Sequence, residues 1–201
     1  MTKRETRETR RKEILDAAFR CFSKRGYHDT KVDDIMKESN LSKGAIYWYF
    51  KGKRDIFISL IEDHLHEEEL VWENLLDEHG IGPALLIESG YAFLRSHFEN
   101  EKMESLFVEF VAESYRDQEI MKRLQKFFDG WIKKVKGVFK IAIQKGIIKD
   151  VDPEYLSVAV FALMKGLVEM RTMYSKKIDF EKVWHTVSHG LLEGIKKGGG
   201  Q

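Results

Sequence analysis

The sequence predicts an all-α protein: an amino-terminal three-helix unit followed by a larger helical bundle, about nine helices in all. Three observations carry that prediction. Only two prolines interrupt 201 residues that are dense in Lys, Glu and Leu, which favour helix. Apolar residues recur at three- and four-residue steps along most of the chain, and nothing alternates with period two. With 43% hydrophobic and 12% aromatic residues, the chain can bury a real core and is not a disordered one. A single cysteine excludes an internal disulfide framework.

The first helix is expected from about residue 10 to residue 25. Ile14, Leu15, Ala18, Phe19 and Phe22 form its apolar face, and Gly26 is its left-handed stop. Thr30 can cap a short helix over residues 31–38, with Asp33 at capping-box spacing. After the turn Ser39-Asn40-Leu41, Ser42 caps a second short helix ending near Phe50. Lys51-Gly52-Lys53 breaks the chain before a long helix over residues 55–78, which Gly80 and Gly82 end. Pro83 suits a first helical turn. Helical spacing continues through residues 84–98, 103–115 and 120–144. Asp152-Pro153-Glu154 opens a helix to about Tyr174 that is apolar almost all round between Leu156 and Val168, so it should be covered on several sides. The last helix, residues 180–197, carries Phe180, Val183, Trp184, Val187, Leu191 and Ile195 on one stripe. The Gly198-Gly199-Gly200 tail should fray.

The net charge of +1 hides an asymmetry. Residues 1–54 hold 15 basic and 8 acidic side chains, a net of +7, which leaves 19 basic and 25 acidic ones beyond, a net of −6. A basic head on an acidic body suggests a polyanion-binding module joined to something that binds elsewhere. The amino terminus has no apolar stretch behind its charges, and the longest uncharged apolar run of the second half, Tyr155 to Met164, is half a membrane span. A cytoplasmic location is expected.

Two short helices joined by a tight turn, in a basic segment, form a helix-turn-helix candidate over residues 31–50. Only a narrow helix fits the major groove, and its first residues must be slim or hydrogen-bonding to reach base edges. Ser42-Lys43-Gly44-Ala45 meets that requirement, with Lys43 able to donate to guanine. The polar tips of Tyr47, Trp48 and Tyr49 suit phosphates at the groove edge.

In this segment Ile14-Leu15-Asp16-Ala17-Ala18, Phe22, Gly26-Tyr27, Thr30, Ile35 and the run from Leu41 through Ser42-Lys43-Gly44-Ala45-Ile46-Tyr47-Trp48-Tyr49-Phe50 to Lys53 resemble the tetracycline-repressor (TetR) family. The likeness covers roughly residues 10–60 in register. The chain departs from the family at Tyr49, where His is usual, and at Met36, where Ala is common. Tyr49 keeps a hydroxyl that reaches phosphate. The resemblance implies that Ser42, Lys43, Gly44 and Ala45 face bases while Thr30, Tyr47, Tyr49 and Lys53 hold phosphates, with Trp48 touching backbone or packing. Arg4, Arg7, Arg10 and Arg11 would form either an arm along the DNA or a solvated tail. It further implies a homodimer, with residues 1–55 binding double-stranded DNA and residues 56–201 forming a ligand-binding and dimerisation domain. A small-molecule effector would release a palindromic operator, repression being the family default.

In the body, Trp72, Phe107, Phe110, Val111, Tyr115, Phe128, Trp131 and Met164 are candidates to line a largely apolar ligand cavity, and ordinary core is the competing explanation. Glu109, Glu113 and Glu169 lie in or beside these stretches, where a buried acid would favour a cationic lipophile. The apolar surplus of the last two helices predicts a two-fold four-helix bundle through Phe161, Val168, Val183, Trp184, Val187 and Leu191. His185 and His189, flanked by Glu181 and Glu193, have spacing a metal could use, but bundle histidines explain it better; no metal and no cofactor is expected. Cys21 reads as a packed thiol. The chain lacks paired Glu-x-x-His motifs, a serine elbow and a phosphate loop, so no enzyme is expected. The alternative is a helical-bundle carrier without DNA binding. The helix over 55–78 is expected to be the sole element reaching both sites, with Leu65, Trp72 or Leu76 facing the cavity.

Overall fold

The computed structural model describes residues 3–174 and 178–196, with side chains from Arg7 onward except Thr172. The glycine tail and the side chain of Arg4 lie outside the described residues. Among the described residues the chain is a succession of nine helices: α1 (Lys3–Asp29), α2 (Val32–Ser39), α3 (Lys43–Tyr49), α4 (Lys53–His79), α5 (Pro83–Glu99), α6 (Glu101–Ser114), α7 (Gln118–Gln144), α8 (Pro153–Tyr174) and α9 (Phe180–Ile195).

Most helix starts follow the local chemistry. Ser42, Asn100 and Asp179 accept a backbone N–H three residues on, and Asp152 accepts from Glu154 and Tyr155 just ahead of Pro153. Two starts differ from expectation. Helix α1 begins at Lys3, seven residues early, because nothing in its charged stretch breaks a helix and Arg10 pairs with Glu13 one turn on. At its other end Gly26 (φ 78, ψ 168) kinks the chain, and helix resumes to Asp29. Lys31, not Thr30, is the residue before α2: its N–H donates to Asp34 Oδ2 at 2.9 Å.

Packing divides the chain into two compact units, residues 1–66 with 100–124, and residues 67–99 with 125–201. In the first, Ile14, Ala17, Ala18 and Phe22 of α1 are buried together with Ile35, Ile46 and Phe50 of the short-helix pair, Ile56, Phe57 and Ile61 of α4, and Phe107 and Phe110 of α6. Rings cross there at close range, Tyr27 stacking on Phe57 with 4.4 Å between centroids and Phe110 meeting Phe57 edge-on at 5.5 Å. In the second unit, Leu94, Val135, Phe139, Val160, Met164, Phe180 and Trp184 make the core of a bundle of α5, α7, α8 and α9. Trp184 is wholly buried, and its Nε1 donates to the Ile87 carbonyl of α5 at 3.0 Å. Two helices, α4 and α7, contribute residues to both units. The long helix is therefore not the sole element shared between them.

Candidate nucleic-acid interface and ligand cavity

In the first unit, α3 presents an exposed surface made of Ser42, Lys43, Gly44, Tyr47 and Trp48. Ile46 and Phe50 anchor it from behind, and Ala45 and Tyr49 are half-buried. Space around Gly44 is open, so backbone can approach a ligand there without collision. Lys43 bridges to Asp33 of α2, Nζ to Oδ1 at 3.0 Å, and this carboxylate raises the lysine pKa. Trp48 is 65% exposed, and the Arg7 guanidinium sits 5.1 Å from its ring. Arg11 is tied by two hydrogen bonds to Asp63 and Arg10 to Glu13, so both are part of a helix rather than a loose arm.

Two residues expected to hold phosphate have other work here. Thr30 is 0% exposed, and its hydroxyl donates inward to the Gly26 carbonyl at 2.7 Å and the Cys21 carbonyl at 3.3 Å. It closes the kinked end of α1. Lys53 Nζ donates to the carbonyls of Tyr27 (2.7 Å) and His28 (2.9 Å) and lies over the Tyr27 ring, and burial lowers its pKa.

The same kink is held from its other side by α6. Both Glu109 carboxylate oxygens accept from the Tyr27 N–H, at 2.9 and 3.0 Å, and Glu113 Oε1 meets His28 Nε2 at 2.8 Å. Glu109 and Glu113 are thus not cavity acids; they bind the end of α1, 82 and 85 residues away in sequence. Arg54 adds bridges to Asp117 and Glu119. No local pattern announces such pairings. Only the density of acids on α6 opposite a basic head hints at them.

The second unit contains an apolar cavity of about 60 Å³ lined by Trp72 of α4, Leu85, Leu86 and Ser89 of α5, Trp131, Val135 and Phe139 of α7, Val160 and Met164 of α8, and Leu192 and Ile195 of α9. Ile81, Gly82, Pro83, Val138, Ala142, Ile147 and Ile148 complete it. One water needs about 10–15 Å³ on this measure, so the space fits a short hydrocarbon segment. Among the described residues no charged side chain lines it, which is unfavourable for the cationic occupant that a buried acid would have indicated. Of the eight residues expected to line a cavity, Trp72, Trp131 and Met164 do. Phe107 and Phe110 are core of the first unit, Val111 lies beside them on α6, Tyr115 is 79% exposed, and Phe128 packs against Phe161 at 5.1 Å. Leu65 is buried in the first unit, and Glu169 is exposed. Most of the lining residues that sequence reading missed are aliphatic, and these, like Phe139, are indistinguishable by spacing from ordinary core.

The residues expected at a dimer interface also separate. Trp184 and Val168 are enclosed by their own subunit and cannot meet a second copy, whereas Phe161, Val183, Val187 and Leu191 are half-buried. The face of α8 instead exposes Tyr155, Val158, Met170 and Met173. The His185 and His189 rings lie 4.2 Å apart, and among the described residues no three potential metal ligands converge.

Comparison with known proteins decides the family. Residues 14–60 match the bacterial regulatory proteins of the tetR family, and residues 92–195 match the carboxy-terminal domain of BetI-type transcriptional repressors. The chain belongs to the TetR family. This TetR-family chain is 25% identical over 189 residues to the fatty acid metabolism regulator protein of Bacillus subtilis, covering 91% of its own length and 94% of that protein's. Its fold matches the crystal structure of FadR from Bacillus subtilis in complex with stearoyl-CoA, with a TM-score of 0.77 at 23% identity over 91% of this chain and 98% of that one. A TetR regulator from Haloarcula marismortui aligns at TM-score 0.82 and 17% identity, over 94% and 99%. The TetR-family chain is a ligand-responsive transcriptional regulator of a non-enzymatic class, and such regulators bind DNA, act as dimers and take small-molecule effectors. Among the described residues no helix is long and apolar enough to cross a membrane.

Proposed function

We propose that the protein is a cytoplasmic repressor that binds a palindromic operator as a homodimer and is released by a largely apolar effector. Residues 1–55 carry DNA binding, and residues 56–201 carry ligand binding and dimerisation. The carrying observation is the cavity of the second unit, whose lining among the described residues is apolar except for Ser89. The exposed face of α3 supports the DNA side of the reading. Ser42, Lys43, Gly44 and Ala45 face bases, and Tyr47, Trp48 and Tyr49 face backbone. Thr30 and Lys53 support that face from within by fixing the end of α1. The exposed apolar side chains of α8 and the half-buried Val183, Val187 and Leu191 of α9 pair with their copies across a two-fold axis.

The likeness to the fatty acid metabolism regulator, whose solved structure holds stearoyl-CoA, supports a hydrocarbon chain as the occupant. The present space admits a short chain, and a longer one requires the lining to open. The test is a titration of straight-chain compounds of increasing length against the protein on its operator, followed by fluorescence anisotropy of the labelled duplex. Release by apolar chains alone supports the reading. Duplex binding that no apolar compound alters would remove the effector role, and absence of any salt-sensitive duplex binding would favour a carrier.

A further inference from the structure

One wall of the cavity is built from two chain segments zipped together. Ile147 and Ile148 come from the turn after α7, and Leu192 and Ile195 come from the last turns of α9. An isolated antiparallel bridge joins Ile148 to Lys196, and the Lys149 N–H donates to the Ile195 carbonyl at 2.7 Å. The Lys149 side chain then turns back to the same helix end, Nζ donating to the Gly194 carbonyl at 2.8 Å. Lys149 is exposed, is bonded through both its backbone and its side chain to this wall, and follows a lining residue directly. Inside, the one hydroxyl among the described lining residues, Ser89, donates to the Leu86 carbonyl. Among the described residues an occupant therefore meets an apolar lining, with a cation, Lys149, at the seam of its wall.

We propose that Lys149 is the headgroup anchor of this cavity and that the ligand is a straight-chain carboxylate, the end of its tail in the present space and its carboxylate on Lys149, with the lining opening for a chain as long as octanoate. The proposal rests on the cavity being an effector site. The Gly194 carbonyl offers the ammonium a dipole, whereas a carboxylate offers a full opposite charge, so the exchange is favourable. Among the described residues, three charged neighbours of this seam in sequence are poorer anchors. Asp152 is the cap of α8, Asp150 carries the wrong sign, and Lys196 lies 3.9 Å from Glu193. Moving Nζ from Gly194 to the ligand withdraws a bond from the last turn of α9 while the backbone bond to Ile195 remains. Occupancy would thereby be felt on a helix assigned to the dimer.

The test uses full-length protein, with octanoate and 1-octanol titrated separately and binding read from the fluorescence of Trp72 and Trp131, which line the cavity. Octanoate should bind about tenfold more tightly than octanol, the scale of one charge-assisted contact. Lys149→Gln keeps a donor for the Gly194 carbonyl but loses the charge, so it should abolish the preference while leaving octanol affinity unchanged. Lys149→Arg should retain the preference, and so should Lys145→Ala, which removes a charge four residues earlier in the chain. Equal affinities in the wild type would overturn the anchor while leaving the cavity intact. So would a preference that survives Lys149→Gln, or a Lys149→Gln variant that loses both ligands alike. If neither compound binds up to its solubility, the cavity reading itself fails and the anchor falls with it.

Discussion

Trp184 fills the space that a side chain at position 90 would need: a Cβ on Gly90 would lie 1.9 Å from Trp184 Cζ2 and 2.0 Å from Cε2. The indole cannot step aside easily, because its N–H is bonded to the Ile87 carbonyl. Gly90→Ala should therefore destabilise the protein by about 1–3 kcal/mol, the usual cost of overpacking. Alanine's better helix propensity, about 1 kcal/mol, offsets only part of it. A thermal melt with an unchanged or raised midpoint would show that α5 and α9 can separate freely.

Lys53 clamps two carbonyls at the end of α1, so its removal should be a stability defect rather than a DNA-contact defect. Lys53→Met keeps the stem and loses both bonds, at about 1–3 kcal/mol. The salt dependence of duplex binding should keep its slope. A slope reduced by about one counterion per subunit would restore Lys53 to the phosphate contacts.

Lys43 and Tyr47 should separate base reading from backbone holding. Lys43→Ala should relax preference at one position per half-site by about 1–3 kcal/mol, and Tyr47→Phe should weaken every duplex alike. Binding to a panel of single-base operator variants distinguishes them. Uniform loss across the panel for Lys43→Ala would make Lys43 a phosphate contact.

Val187 lies half-buried on α9, on the side assigned to the partner copy. A charge there would be desolvated on dimerisation at a cost of several kcal/mol. Val187→Glu should give monomers by light scattering, and a dimer of undiminished mass would move the interface elsewhere.

Acid should loosen the junction between α6 and α7. Desolvation pushes the Asp117 pKa up, but the N–H groups of Glu119 and Ile120 and the Arg54 guanidinium outweigh it and leave it below its ordinary 3.8. A lowered folded pKa means stability that is complete above the ordinary value and lost as pH falls through the folded one. Asp117→Asn cannot titrate, so its stability deficit should shrink as pH drops from about 5 to about 3. A deficit constant over that range in urea melts would show that the carboxylate contributes no charge-dependent stability.

Much of the fold was legible because its signals are local. Ser42, Asp179, Asp152 with Pro153, and the apolar spacing of α1 and α8 act within one or two turns, and helices stand where those residues place them. The roles of Thr30, Lys53, Glu109 and Glu113 were not legible. Each depends on a kink at Gly26 that brings two α1 carbonyls to α4 and one N–H to α6, across 25 to 26 and 82 residues. The cavity was legible only at Trp72, Trp131 and Met164. Apolar spacing marks burial, and a wall and a core are buried alike. For the same reason Trp184, on the right stripe for an interface, turned out to face its own subunit.

The grip of α6 on the kinked end of α1 has a consequence for biosynthesis. Residues 1–66 leave the ribosome before Glu109 and Glu113 exist, so the Tyr27 N–H and His28 then lack the carboxylates that later hold them. Phe57 likewise waits for Phe110. At translation speeds of about 5–20 residues per second, that interval lasts on the order of several seconds. A nascent reading head emerges unfinished, and the protein acquires its complete amino-terminal unit only after half the chain has been made.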